Sequence, residues 1–166
     1  MTTLISILFA TLLFGGRILY LFIQRRKIVE LMPVEAGPTA DANEDFTTPV
    51  PVRVGTMPMD PSLHYFVVRN ECMTPLHISS GDIIGVQLFN DDFTLYDIKQ
   101  GDILLIYLDD SKFHGHKIRV MDFAEGNAFH TYYFIGKQPQ ESSEPHVFSS
   151  IRGVVREINH PYKEVA

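Results

Sequence analysis

Few side chains in this sequence are equipped for chemistry, and most of them fall in two short stretches. Cys72 is the single cysteine, in Glu71-Cys72-Met73-Thr74-Pro75. A thiol becomes a nucleophile when a neighbouring cation favours its thiolate. Lys117 and Arg119, in His116-Lys117-Ile118-Arg119-Val120, are cations of that kind. Side chains alternate along a strand, so the two share one face and both could point at Cys72. They are not equivalent, because an arginine keeps its proton and cannot serve as a general base. His114 and His116 could assist a thiolate, but surface residues of a Phe-His-Gly-His turn are the plainer reading, and their spacing makes a poor metal site. Cys72 itself reads equally well as a small buried hydrophobe.

The elements that would position these groups are short apolar runs between turn signals. Tyr65–Val68, Ile83–Leu88, Ile103–Leu108, Lys117–Phe123, Phe129–Ile135 and Ile151–Ile158 each read as a strand. Ala124-Glu125-Gly126-Asn127 joins two of them as a hairpin turn. Gly81-Asp82 and Gly101-Asp102 are turn signals ahead of strands. The even spacing predicts a mostly β domain of barrel or sandwich type. Ile28–Met32 is mixed in character and can extend a preceding helix. Pro33–Pro58 is rich in proline and reads as a linker, partly extended and docked along the domain. The expected organisation is an anchor over 1–27, a linker over 28–58 and a folded domain over 59–166.

The anchor is Thr3–Gln24, about 22 residues with one charge, long enough for a transmembrane α-helix. That charge, Arg17, lies past the middle and can snorkel toward Arg25, Arg26 and Lys27. A cleaved signal peptide would carry its basic residues before the apolar run and small residues after it, and neither is present. The basic flank predicts a single-pass anchor with the domain facing the cytoplasm, as in a bacterial inner membrane.

The stretch Cys72-Met73-Thr74-Pro75, followed by Gly81-Asp82-Ile83-Ile84, resembles the nucleophile segment of the LexA/UmuD-type self-cleaving proteins and the type I signal peptidases. Met73, Pro75, Gly81 and Asp82 fit that pattern, with Cys72 where the family has serine. Ile98–Leu104 is similar to the family's second Gly-Asp strand, and Ile151-Arg152-Gly153-Val154-Val155 to its closing strand. The resemblance covers about Val34 to Ile158. It implies a β-rich peptidase fold and a nucleophile paired with a neutral lysine. Arg119 fits the lysine slot best, and Lys117 requires a two-residue shift, so both dyad positions are altered. It also implies a cleavage bond upstream, for which Ala36-Gly37 lies at the family's distance; an ordinary flexible linker is the alternative there.

Three functions follow as expectations. The chain is a membrane-anchored, self-cleaving peptidase using Cys72, or a pseudoenzyme that binds its own linker or a partner's extended peptide, or a signal-peptidase-like processing enzyme. The basic flank argues against the last, which needs an outward-facing domain. Relatives of the LexA type imply a homodimer. All 20 acidic residues lie at or after Glu30, against ten basic ones, so the domain repels nucleic acid. One cysteine excludes an intrachain disulfide, and no cofactor or metal is expected.

Overall fold

A computed structural model of the chain describes residues 27–37, 46–55, 57–70, 73–109, 113–126, 128–142 and 146–161. Among them run the strands β1 (Ile28–Glu35), β2 (Val50–Arg53), β3 (His64–Arg69), β4 (Ile83–Leu88) and β5 (Ile103–Asp109). They are followed by β6 (His114–Glu125), β7 (Ala128–Ile135), β8 (Gln138–Glu141), β9 (His146–Val147) and β10 (Ile151–Asn159). Each of the six apolar runs becomes a strand, because β-branched and aromatic residues suit a pleated, half-buried surface. The expected hairpin joins β6 to β7, with Glu125 opposite Ala128.

The strands form one sheet, in the order β2-β1-β3-β4-β10-β5-β6-β7-β8, and the sheet closes on itself. The second half of β1 lies parallel to β3 and, through Val34 and Glu35, parallel to β6. The path β1-β3-β4-β10-β5-β6 therefore returns to its start as a six-stranded ring. Val34, Val68, Ile84, Val86, Leu105, Ile118 and Val120 belong to the apolar cluster that fills it.

The ring is also packed from outside, and this explains why several strands are apolar on both faces. Leu104, Ile106, Met121 and Val154 form a second cluster with Phe93, Phe129 and Ile151. Val67 and Ile83 form a third with Leu31 and Val54, against which β2 packs. On β6 the consequence is a division by parity. Ile118 and Val120 face the interior, whereas Lys117 and Arg119 lie opposite Ile106 and Leu104, on the outer face of Met121.

The structure corrects the helical reading of Ile28–Met32. These residues are strand, held by β2 on one side through pairs such as Leu31 with Val50. The stretch 28–58 thus contributes β1 and β2 to the sheet. Among the described residues no helix is long and apolar enough to cross a membrane, and the expected anchor Thr3–Gln24 lies outside them.

Candidate functional site

The Gly-Asp turns are what set the neighbouring strands in register. At Gly81, φ is +89°, a left-handed conformation that a residue without Cβ adopts freely. Its amide donates to the Val68 carbonyl, and Val68 donates to the Asp82 carbonyl. The buried Asp82 carboxylate accepts from the Ser79 amide at 2.7 Å and meets His160 Nδ1 at 3.0 Å. Gly101-Asp102 repeats the device against β6. Gly101 has the same φ and donates to Met121, and Asp102 accepts from the Lys99 amide at 2.9 Å. Met73 is fully buried in the ring's core beside a short 3-10 turn, Thr74–Leu76, that contains Pro75. Cys72 lies outside the described residues.

β6 presents Lys117 and Arg119 on one face, and both are buried, at 7% and 4% exposure. Such charges need partners, because an unpaired charge in a dry interior costs several kcal/mol. The partners come from β1 and the residues after it. Lys117 Nζ meets Glu35 Oε2 at 2.9 Å, and Glu35 is itself fully buried. The pairing of Glu35 with Lys117 in the β1–β6 register puts them directly opposite each other. Two residues on, Arg119 Nη2 donates to the Gly37 carbonyl at 2.7 Å, and its Nη1 donates to the Ile118 carbonyl at 2.7 Å. Between them Ala36 is fully buried in the core, its amide donating to the Arg69 carbonyl.

Aromatic rings wall the site. Lys117 Nζ sits 4.0 Å from the centre of the Phe113 ring, which packs on Phe46. Arg119 lies over Tyr133 at 5.0 Å. The chain from β9 crosses to β10 in three residues: His146 pairs with Phe129 of β7, and Ile151 already pairs with Ile106 of β5. This crossover brings His146 into the field of Arg119 and Lys117. Burial first, and then those two cations, push its imidazole down to about 4. The ring is therefore neutral near neutral pH, and its Nε2 is buried without a hydrogen-bond partner. Both Glu35 carboxylate oxygens are buried without a hydrogen-bond partner as well, the contact of Oε2 with Lys117 being an ion pair.

The expected site residues thus divide. Lys117, Arg119, Ala36 and Gly37 come together. His116 does not join them: it is half-buried on the opposite face of β6, against Phe66 and Tyr107, where burial and the nearby Arg152 lower its pKa. His114 is exposed and tied to Asp109 at 2.6 Å and to Tyr107. The described residues contain no cluster able to hold a metal ion. Glu35 and His146 are the members that sequence reasoning missed. A buried lysine in an apolar strand signals that a carboxylate must face it, but which one depends on a pairing between strands 82 positions apart.

Chemically, the arrangement reads a main chain. Arg119 cannot accept a proton, and Lys117 is held in an ion pair with Glu35. The carbonyl that carries the cation belongs to Gly37, so the peptide polarised is the one joining Gly37 to Pro38, not Ala36 to Gly37. No protein-family model matches this chain, and no curated protein matches it either.

Proposed function

We propose that the chain is a membrane-tethered protein of the LexA/signal-peptidase-like type whose peptide slot holds its own segment Glu35-Ala36-Gly37 as a bound strand and leaves it uncut. The observation that carries this reading is the buried hydrogen bond from Arg119 to the Gly37 carbonyl at 2.7 Å. An arginine in the lysine slot anchors a peptide and takes no proton from a nucleophile. The Lys117–Glu35 pair supports the same reading, because it spends the other cation on holding the strand. The tether rests on the apolar run Thr3–Gln24 and its basic flank.

Self-cleavage by Cys72 is the second reading, and His146 is what favours it. A neutral imidazole with an unpartnered Nε2 is the kind of group that can accept a thiol proton. Incubating the purified full-length chain from acidic to alkaline pH and weighing it by mass spectrometry separates the two. The wild type is expected to stay intact, and so is Cys72→Ala. A fragment beginning at Gly37 or Pro38 in the wild type, absent from Cys72→Ala, would overturn the holding reading. The double change Cys72→Ser with Arg119→Lys rebuilds the family's dyad and shows in the same assay whether the slot can support cleavage at all.

A further inference from the structure

We propose that Asp122, Tyr132, Phe134, Pro139 and Glu141 form a site for a linear aliphatic diamine, its two ammonium groups held by the two carboxylates and its hydrocarbon stem laid across the aromatic rings. The site lies on the β6–β7–β8 extension of the sheet, apart from Lys117 and Arg119, and does not depend on whether the chain is cut.

Strand alternation builds it. Along β7, Tyr133 turns to Arg119, so its neighbours Tyr132 and Phe134 face the other way. Phe134 belongs to the ring's core, and the half-buried Tyr132 packs against that core. The two aromatic rings meet edge to face with centres 5.6 Å apart. β8 lays Pro139 opposite Phe134 and Glu141 opposite Tyr132. On the other side of β7, Val120 of β6 lies opposite Tyr132, and Asp122 falls in the register shift between Met121 and Phe123. A bulge of this kind re-aims a side chain. Here it brings Asp122 to the rim of a cavity of about 380 Å³ that the other four residues line.

The lining selects for positive charge. The face of an aromatic ring attracts a cation. Elsewhere the molecule satisfies that attraction itself, for Phe113, Tyr133, Tyr107 and Phe93 each carry a lysine or arginine of the chain over the ring. Among the described residues no such cation covers Tyr132 or Phe134, and neither Asp122 nor Glu141 enters a salt bridge. Asp122 accepts from Gln100 Nε2 at 3.5 Å, a long contact with a neutral amide. The acidic excess after Glu30 adds a field of the same sense. The placing of the carboxylates sets the number of charges. β6 and β8 flank β7, so Asp122 and Glu141 stand on either side of the rings, their backbones about 10 Å apart at two strand spacings. One ammonium group reaches only one of them. A diamine with a four-carbon stem reaches both at hydrogen-bond distance and leaves its methylenes on Tyr132, Phe134 and Pro139. Magnesium and calcium require more oxygens than two carboxylates present.

The test uses the full-length chain in an uncharged detergent, titrated by calorimetry with diaminobutane bearing an amine at each end, and with butylamine. The diamine is expected to bind saturably, with a dissociation constant below about 1 mM. Butylamine, which makes one charge pair instead of two, is expected to bind about fivefold more weakly or worse. Asp122→Asn and Glu141→Gln should each weaken the diamine about threefold or more. Tyr132→Leu, which keeps apolar bulk and removes the ring, should cost about threefold. Absence of saturation, equal affinity for the two amines, displacement of the diamine by an equal concentration of magnesium, or unchanged affinity in any of the three variants would overturn the site. Asp122 is half-buried and Glu141 exposed, so their neutral isosteres leave the core intact. Should Tyr132→Leu not fold, nuclear Overhauser contacts in the wild type decide the part played by the ring. Contacts between the diamine methylenes and the Tyr132 ring support the site, and their absence overturns it.

Discussion

At the scale of residues, the site is a small cluster of buried ionisable groups packed close to one another. Glu35 and Lys117 neutralise each other, Arg119 is spent on carbonyl oxygens, and His146 stays neutral beside them. The imidazole carries a consequence for stability. Its folded value of about 4 lies below the 6.5 of a free imidazole, so between those limits the unfolded chain binds more protons. Stability linked to His146 is therefore fully present above about pH 6.5 and is lost as pH falls toward 4. The span corresponds to about 3 kcal/mol. Urea unfolding across that range should show a steeper decline in the wild type than in His146→Gln, and parallel declines would refute the assignment. Burial is the larger cause of the loss, because it disfavours a charged ring, and the two neighbouring cations add to it.

At the scale of elements, the turns and close strand approaches do most of the positioning. β10 passes so near β4 that a Cβ on Gly153 would collide with the Gln87 carbonyl, at the point where the β10–β5 register shifts. Gly153→Ala should cost about 1–3 kcal/mol, read as a lower urea midpoint with unchanged slope. Little or no change would mean that the strands can part without loss. Much of this level was legible beforehand. Ile83–Leu88, Ile103–Leu108 and Ile151–Ile158 announce themselves as strands because their apolar residues are bounded by Gly-Asp or similar turn signals. β1 was not legible, since Glu30, Pro33 and Glu35 break its apolar pattern, and what makes it a strand is long-range pairing with β3 and β6. β8 is wholly exposed and β9 has two residues, so neither leaves an apolar trace. In the site, the shared face of Lys117 and Arg119 followed from strand alternation, whereas Glu35 and His146 depended on tertiary pairing. The two outermost strands each contain a proline, Pro51 in β2 and Pro139 in β8, which removes a donor where another chain would otherwise add on.

At the scale of the whole molecule, the closed ring and its appendages should differ in local stability. β3, β4, β10, β5 and β6 are paired on both sides around a buried core, while β2 and β8 are outer strands whose residues are exposed or half-buried. Native-state hydrogen exchange should find ring amides such as Val86 and Leu105 opening only with global unfolding. Amides of Gln138 and Gln140 should exchange at far lower cost, and equal protection throughout would argue against this division. The order of strands in the ring has a further effect, on the birth of the protein. β10 stands between β4 and β5, yet it is the last strand described along the chain. During synthesis β4 and β5 emerge long before the strand that joins them, each with an open edge and with apolar residues facing a gap. Such edges invite wrong pairing until they are covered. The domain therefore closes only after Ile151–Asn159 has left the ribosome, and its nascent form is the state most in need of a chaperone.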